Sequence, residues 1–328
     1  MGEACRLRFC RCHRLAWWTT GNELAVKRSV AAGLFYTIGA LGCGVSTDGN
    51  PSFEPRQAIR ITGSDTMINL VQAFAETYRG VAPSVSVQVA GGGSGVGIAG
   101  LIDGILDVAA AGREMTPEER QAVRRRSGQE PRQFVVALDA IAVYVHRDNP
   151  VSRLFIDQLA EMYGEGGSLE RWSQLGIQND RCRRDVIVRL GRQNSSGTFA
   201  YFREAVLGLH RDYKLGSVDQ NGSKDVVMLV SRTPCAIGYS GMAFAFSGVT
   251  AVAIAANRNS PAVAPNPATA RDGSYPLARP LYFYTAGEPD GPTRQFIGWV
   301  RGAAGQEIVA RLGFVPIEPV LTRAWQDR

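Results

Sequence analysis

Histidine is scarce in this sequence of 328 residues, which contains only His13, His146 and His210. Their spacing matches no common set of metal ligands and the carboxylates are not clustered, so we predict no metal site. Ser195 and Ser196 have no evident base beside them in the sequence that would activate a hydroxyl for nucleophilic catalysis. These absences argue against an enzyme, and they predict neither a cofactor nor a catalytic residue.

Loops that bind nucleotides and surfaces that bind nucleic acids are also missing. No Gly-Lys-Ser/Thr triplet occurs, and the glycines of residues 91–97 do not follow the order of the dinucleotide-binding fingerprint. The formal net charge is +6, but the arginine clusters at 124–126 and 181–184 have no aromatic residues interleaved with them. We therefore predict no nucleic-acid partner, although a mild positive field would help to gather small anions.

Residues 30–42 form an uncharged, largely apolar run that is shorter than a transmembrane helix requires. It follows the basic pair Lys27-Arg28 and precedes Cys43, an order that is typical of a secretory signal. Residues 40–43, Ala-Leu-Gly-Cys, resemble a bacterial lipobox, although alanine replaces the usual leucine at the first position. We therefore expect lipidation at Cys43 and export to the cell envelope.

The chain before the folded domain divides into two predicted segments. Residues 1–43 form the leader, and residues 44–55, rich in small and polar residues, form a tether. We hypothesise that translation begins near Val26, in which case residues 1–25 are not part of the protein. The intact mass of the unprocessed protein would test this start.

The cysteines are too few to form a disulfide framework for the rest of the chain. After Cys43 only Cys182 and Cys235 remain. In an exported protein the two thiols can join as a disulfide, and they can equally well stay as buried free thiols. Both alternatives stay open at the level of the sequence.

A stretch rich in glycine and hydroxyl residues, Gly191 to Thr198, lies between a predicted strand and a predicted helix. The apolar run 186–190 precedes it, and apolar residues at helical spacing from Phe199 to Leu209 follow it. The N–H groups at the start of a helix have no partner inside the helix, and together with the helix dipole they favour an anion. Arg192 adds a planar donor fork that matches two oxygens of such an anion.

Two further turns have the same character. Residues 63–66, Gly-Ser-Asp-Thr, follow a short strand and open a helix in which Ser64 or Asp65 is a natural N-cap. Residues 91–97 are glycine-rich, which lets the backbone approach a ligand closely, and a helix from Ile98 to Ile105 is predicted after them. We expect the three helix starts to converge on one ligand.

Strands and helices alternate along the chain, which indicates an α/β domain with a largely parallel sheet. The run from Phe134 to Val145 is long and apolar, as in a strand buried on both faces. Thr116, Pro117 and Glu119 form a capping box that opens another helix.

Taken together, these motifs resemble the phosphate-binding proteins of bacterial phosphate ABC transporters, which belong to the type II periplasmic binding proteins. The resemblance covers about residues 56–318 and rests on the order and spacing of several motifs. They are residues 63–66, 93–97, 107–109, 149–150, 192–198, 236–239, 279–282 and 313–316.

The resemblance implies two α/β lobes joined by two crossing segments, with the ligand in the cleft between them. One lobe would combine residues 56–142 with 241–328, and the other would comprise residues 143–240. The crossings would lie near residues 142–144 and 238–240. Trp172, Tyr163 and Leu159 are expected in the core of the second lobe.

The resemblance also implies a set of residues that bind the anion. They are Ser64, Asp65, Thr66, Met67, Ser94, Gly95, Arg192, Ser196, Gly197 and Thr198. Thr66 and Ser94 could instead serve only as helix caps, and Met67 would contribute its backbone N–H. Many members of the family carry a hydroxyl or a carboxylate where this chain has Gly112, so the discrimination between phosphate and sulfate is open.

The function implied is capture of inorganic phosphate by a monomeric, exported lipoprotein that delivers it to the permease of an ABC transporter. The protein would be lipid-anchored or periplasmic. A secreted phosphatase and a cell-surface oxyanion sensor on the same fold are the alternatives.

Asp65 is the nearest carboxylate to the recognised motifs that could accept a hydrogen bond from the proton of phosphate. Sulfate carries no such proton near neutral pH, and it would meet like charge there. The hypothesis predicts that Asp65→Asn narrows the gap between phosphate and sulfate affinity. If Asp65 only caps a helix, the ratio of affinities does not move.

Overall fold

The structure is a computed structural model that describes residues 57–317. The predicted leader, the lipidation site at Cys43 and the tether lie outside the described residues. Within residues 57–317, no helix combines the length and the apolar character needed to cross a membrane.

Ten strands and nine α-helices alternate through the described residues. The strands are β1 Gln57–Gly63, β2 Val85–Ala90, β3 Val108–Ala111, β4 Arg132–His146, β5 Arg153–Phe155, β6 Val188–Arg192, β7 Val218–Gln220, β8 Ala236–Gly241, β9 Val249–Ala255 and β10 Ala278–Thr285. The helices are α1 Ile68–Val81, α2 Ser94–Ile102, α3 Pro117–Ser127, α4 Ile156–Tyr163, α5 Gly197–Phe202, α6 Ser223–Val230, α7 Pro267–Arg271, α8 Gly291–Arg301 and α9 Ala303–Arg311. Short 3₁₀ turns at Trp172–Leu175 and Met242–Phe244 and a π turn at Arg203–Leu207 complete the list.

The sheet follows the order β2-β1-β3-β10-β4-β8-β6-β7, and β9 pairs with both β4 and β5. The strands toward the two ends of this path pair in parallel, as in β1 with β2 and β3, and β6 with β7 and β8. The central pairs, which include β4 or β10, are antiparallel. The predicted α/β class is therefore confirmed. The prediction of a largely parallel sheet is right for the strands at the two ends and wrong for the central strands.

Strand β4 explains this difference. Residues 136–145 are all buried, as the long apolar run predicts. Hydrophobicity records burial on both faces but carries no information on strand direction, so the antiparallel pairing could not be read from it. From Ile141 onward β4 leaves β10 and pairs with β8 and β9. The two segments predicted as crossings, 142–144 and 238–240, lie side by side in this pairing.

Helix α1 packs its apolar stripe against the first part of the sheet. Leu70, Val71, Phe74 and Tyr78 are buried in one core with side chains from β1, α8 and α9. The ring of Tyr78 meets that of Phe296 edge to face, with centroids 5.1 Å apart. This core holds the C-terminal end of β1, and the turn that follows it, in a fixed position.

A second core surrounds the segment after β5. Leu159, Tyr163 and Trp172 are fully buried in it, as predicted. Cys182 and Cys235 form a disulfide, so the alternative of two free thiols is wrong. The indole N–H of Trp172 donates to the Cys235 carbonyl, which ties this core to the start of β8.

Two predicted helices end earlier than their apolar spacing indicates. After α5 the chain makes a single π turn and then reaches Gly208, whose φ is 75°, and Leu209 is 71% exposed. After α2 a glycine at φ 73° turns the chain, and Ile105 is 59% exposed. In both cases a glycine with positive φ follows the helical turns, and an apolar residue just beyond it reaches solvent. The capping box at Thr116 is confirmed.

Candidate anion-binding site

Four turns, each between the C-terminal end of a strand and the start of a helix, meet at one place. The Thr66 hydroxyl, from the turn between β1 and α1, lies 3.0 Å from the Thr198 hydroxyl at the start of α5. It also lies 3.0 Å from the Ser223 hydroxyl at the start of α6. All three side chains are buried. Convergence of the predicted turns is therefore observed for Thr66 and Thr198, and Ser223 adds a turn that was not predicted.

The turn between β2 and α2 contacts the turn between β6 and α5 directly. The N–H of Gly95 donates to the Ser195 carbonyl at 2.9 Å. A Cβ atom on Gly93 would lie 2.5 Å from the same oxygen, so only glycine allows this approach. Likewise a Cβ atom on Gly197 would lie 2.2 Å from the Ser94 hydroxyl. The glycines of these motifs thus permit the two turns to touch.

The hydroxyls of Ser94 and Ser196 have different partners. Ser94 follows the N-cap Gly93 and accepts a hydrogen bond from the N–H of Gly112 at 3.0 Å, so its side chain does not cap α2. Ser196 is the N-cap of α5, where its side chain accepts from the N–H groups of Thr198 and Phe199. Both hydroxyls keep a hydrogen to donate, because each acts here as an acceptor.

The prediction that Ser64 or Asp65 caps α1 is wrong. The N-cap position falls on Met67, whose side chain makes no capping hydrogen bond and whose N–H donates to the Ser64 carbonyl. Ser64 is buried, and its own N–H donates to the Ala110 carbonyl. The N-cap lies two or three residues later than predicted, which frees the Asp65 carboxylate for other partners.

Arg192, at the C-terminal end of β6, is fully buried. Its guanidinium donates to the Ser223 hydroxyl at 2.7 Å, to the Asn221 carbonyl at 2.7 Å and to the Gln220 carbonyl at 3.3 Å. It also pairs with Asp65 at 3.1 Å. Burial lowers the pKa of Arg192, and the charge of Asp65 opposes this shift.

A second buried arginine, Arg279 at the start of β10, was not predicted as a site residue. It donates to the Thr198 hydroxyl at 3.0 Å and lies 3.5 Å from the Thr66 hydroxyl. Its charge is balanced by Asp139 on β4, with N–O distances of 3.0 and 3.3 Å. Arg279 and Asp139 face each other directly in the register of the two strands.

The position of Arg279 explains why residue 112 is a glycine. The Nη1 atom of Arg279 donates to the Gly112 carbonyl at 2.8 Å. A Cβ atom on Gly112 would lie 2.9 Å from that nitrogen and 3.2 Å from the guanidinium carbon. The guanidinium therefore occupies the space into which a side chain at position 112 would extend.

The site is well suited to an oxyanion. Two buried guanidiniums supply planar N–H forks that carry positive charge, and the hydroxyls of the turns supply neutral hydrogen-bond donors. Water is largely kept from these groups, which strengthens each interaction with charge. Within residues 57–317, no group of three or more His, Cys, Asp or Glu side chains is placed to hold a metal ion.

An open cavity of about 980 Å³ borders this cluster. It lies between residues 112–117 and helix α5, and Arg279 and Tyr201 contribute to its wall. The guanidinium of Arg279 stacks over the Tyr201 ring, 5.8 Å from its centroid. Among the buried donors of the cluster, Arg279 lines this cavity.

Three residues of this cluster, Asp139, Ser223 and Arg279, were not predicted. The sequence contains an indication of the first two. Asp139 is the one charged residue inside the apolar run 134–145, and a carboxylate in a strand buried on both faces needs a partner. Gly222-Ser223 precedes an apolar helical stripe, as in the three predicted turns. Arg279 lies in a recognised motif, but nothing in its sequence neighbours indicates its contacts.

Comparison with known families adds independent evidence. Residues 48–303 match a family model described as a PBP superfamily domain. The phosphate-binding protein PstS of Pseudomonas aeruginosa is 33% identical over 265 residues, which are 78% of this chain and 81% of that protein. The protein of the same name from Bacillus subtilis is 27% identical over 264 residues, which are 79% of this chain and 81% of that protein.

The solved structures that resemble this fold agree with the sequence matches. A phosphate ABC transporter substrate-binding protein of Clostridium perfringens, solved with bound phosphate, superposes with a TM-score of 0.69. It is 27% identical and aligns over 80% of this chain and all of that chain. The two-lobed type II periplasmic binding fold expected from the sequence is therefore confirmed.

Proposed function

Because the chain belongs to the family of PstS phosphate-binding proteins, we propose that it captures inorganic phosphate outside the cytoplasm for an ABC transporter. The matched relatives are named as binding proteins of transporters and not as enzymes, which supports capture over hydrolysis. The observation that carries the proposal is the buried cluster of turn hydroxyls with Arg192 and Arg279 around it.

The proposed ligand residues are those of the motifs, with three additions. Hydroxyl and N–H donors at four helix starts would surround the phosphate, and the two guanidiniums would balance its charge. The set expected from the sequence is Ser64, Asp65, Thr66, Met67, Ser94, Gly95, Arg192, Ser196, Gly197 and Thr198, and we add Ser223, Arg279 and Asp139.

Capture would work by closure of two lobes. We assign residues 56–142 and 241–328 to one lobe and residues 143–240 to the other, with hinges where β4 and β8 pair. Thr66 and Ser94 would belong to the first lobe, and Arg192 and Thr198 to the second. Phosphate favours the closed form because only that form offers it donors from both lobes.

The cellular setting follows from the leader. We propose that Cys43 carries a lipid that holds a monomeric receptor at the membrane, close to the permease that accepts phosphate from it. Cys43→Ser should release soluble protein or leave an unprocessed precursor. If detergent partitioning of this variant is the same as that of the wild type, the lipid anchor is not at Cys43.

Titration calorimetry with inorganic phosphate tests the function. Purified protein, dialysed free of phosphate, should bind one phosphate per chain. Incubation with a chromogenic phosphate ester should give no turnover. Absence of phosphate binding would overturn the proposal, and steady release of the chromophore would favour the phosphatase.

A further inference from the structure

A second, smaller cavity of about 320 Å³ lies apart from the anion cluster. No residue that is expected or proposed to bind phosphate lies on its wall. Its volume is at the lower end of the range of ligand pockets, so it would accommodate a small molecule. The wall includes Gly191, Phe199, Tyr213, Ser217, Asp219 and Tyr239.

Strand β6 separates this cavity from the anion cluster. Successive side chains of a strand point to opposite faces, so Arg192 faces the cluster and Gly191 faces the cavity. A Cβ atom on Gly191 would lie 2.5 Å from Oδ1 of Asp219, its partner in the register of β6 and β7. Glycine at position 191 therefore leaves room for the Asp219 carboxylate at the wall of the cavity.

Three side chains of the wall have oxygen atoms that can still accept a hydrogen bond. Within residues 57–317, the carboxylate of Asp219 forms neither an ion pair nor a hydrogen bond. The hydroxyl of Ser217 is buried and has no partner in that part of the chain. The hydroxyl of Tyr239 donates its hydrogen to the Tyr213 hydroxyl at 3.0 Å, which leaves lone pairs on the Tyr239 oxygen.

The positive charges near the cavity are engaged elsewhere. Lys214, which also lines the cavity, donates to the Gly167 carbonyl and to the Glu170 carboxylate, at 2.8 Å in each case. Arg189 donates to a backbone carbonyl at 3.1 Å. Partial burial raises the pKa of the Asp219 carboxyl, because desolvation disfavours its charged form. The charge of Asp219 is therefore left for a ligand that is itself positive.

Aromatic rings form the apolar part of the wall. The ring centroids of Phe199 and Tyr213 lie 4.4 Å apart, and the Tyr213 hydroxyl donates to the Phe199 carbonyl at 2.9 Å. Aromatic faces attract cations and also pack against short carbon chains. A ligand that suits this wall combines a positively charged N–H donor with a short apolar chain.

We propose that this cavity binds a small primary ammonium compound. A primary ammonium group has three N–H donors, one for each of the free acceptors on Asp219, Ser217 and Tyr239. Its carbon chain would lie against Phe199 and Tyr213. The site is separate from the anion cluster, so it goes beyond the proposed capture of phosphate and does not rest on it.

The probe for this site is n-butylammonium chloride. Titration of the purified protein, followed by saturation-transfer NMR, should show one saturable site with a Kd of about 0.1–10 mM, as expected for a ligand of this size. The alcohol n-butanol has the same chain but one donor and no charge, so it should bind at least about 10-fold more weakly. Equal binding of the two compounds, or no saturable binding of butylammonium, would overturn the proposal.

Asp219→Asn tests the counter-charge. The amide keeps the shape of the side chain, and the fold should tolerate it because Asp219 is exposed on the edge strand β7. Affinity for butylammonium should fall by roughly 10- to 150-fold. Asp212→Asn is the matched control, since Asp212 lies in the connection that leads to β7 and pairs with Arg203 at the surface. The control should keep the wild-type affinity, and an equally tight Asp219→Asn variant would remove Asp219 from the site.

Titration without phosphate and at saturating phosphate separates this site from the anion cluster. Butylammonium should bind in both conditions, because the two sets of binding residues share no member. Loss of butylammonium binding at saturating phosphate would mean that the two ligands compete for one site, and it would overturn the inference. A protein that binds butylammonium but no phosphate would contradict the proposed function and leave this inference in place.

Discussion

The two arginine–carboxylate pairs of the site differ in how the chain builds them. Arg279 and Asp139 stand opposite each other on neighbouring antiparallel strands, so the sheet register alone brings them together. Arg192 and Asp65 are 127 residues apart and belong to turns at different strands. The Asp139 side chain is fully buried, whereas that of Asp65 keeps 16% of its surface exposed.

This difference separates a pair that belongs to the folded sheet from a pair that depends on the approach of two turns. The contact between Arg279 and Asp139 exists wherever β4 and β10 are paired. The contact between Arg192 and Asp65 requires the turn after β6 to lie against the turn after β1, as it does in the structure. We therefore expect the first pair to contribute more to stability, and the second to contribute more to phosphate capture.

The largest expected effect is on the free energy of unfolding of Arg279→Ala. Removing this arginine leaves Asp139 buried without a counter-charge, which should destabilise the protein by about 3–5 kcal/mol. Arg192→Ala should cost less, roughly 1–3 kcal/mol, because Asp65 keeps the N–H of Gly92 and contact with solvent. Urea denaturation without phosphate measures both, since bound phosphate would add its own stabilisation.

If Arg279→Ala and Arg192→Ala lose the same free energy of unfolding, the distinction between the two pairs is contradicted. Arg132→Ala provides a reference for an exposed pair, since Arg132 contacts Glu288 at the surface. That change should shift the free energy of unfolding by no more than about 1 kcal/mol.

The second effect concerns phosphate affinity. Arg192→Ala should weaken binding by roughly 2–5 kcal/mol, as when one partner of a buried charged pair is truncated. Arg192→Lys should also weaken it, because an ammonium group cannot reproduce the donor fork that reaches Ser223 and Asn221. Calorimetry that returned the wild-type affinity for both variants would remove Arg192 from the site.

Local sequence patterns were sufficient to predict much of this fold. The helix after residues 63–66, the capping box at Thr116 and the buried run of β4 follow from spacing and hydrophobicity, which are properties of residues close in the chain. Arg192 was predicted because its turn is a continuous motif. The direction of β4 was missed because burial on both faces is compatible with either direction.

The rest of the site depends on contacts between residues distant in the sequence. Arg279 meets Thr198 and Thr66 across 81 and 213 residues, and only the order of strands in the sheet brings them together. Asp139 gave a signal as the lone charge of an apolar run, but its partner could not be inferred. The resemblance to a known family supplied the division into lobes, which the local patterns did not contain.

Gly112→Ala should perturb the Arg279 pair without touching Arg192. The new methyl group would press on a buried guanidinium, and overpacking of this kind costs roughly 1–3 kcal/mol of stability. Gly298→Ala, in α8, is the matched control, because apart from the backbone of its own helix and its chain neighbours no atom lies within 4 Å of the added methyl group. That control should be neutral or stabilise the helix by up to about 1 kcal/mol. If thermal unfolding shows the same change for both, the contact between Gly112 and Arg279 is not tight.

The smallest effect is expected from Ser196, which lies on the same turn as Arg192 but pairs with neither arginine. Its side chain caps α5, so Ser196→Ala should lower the free energy of unfolding by about 1 kcal/mol. Its hydroxyl hydrogen is also a predicted donor to phosphate, and the loss of one neutral hydrogen bond should weaken binding by about 0.5–1.5 kcal/mol. Ser196→Thr keeps the hydroxyl and should recover part of both losses. Denaturation and calorimetry on the same preparations separate the two roles. A stability loss with unchanged phosphate affinity would leave Ser196 as a helix cap alone, and an affinity loss as large as that of Arg192→Ala would mean that charge is not what distinguishes the two residues.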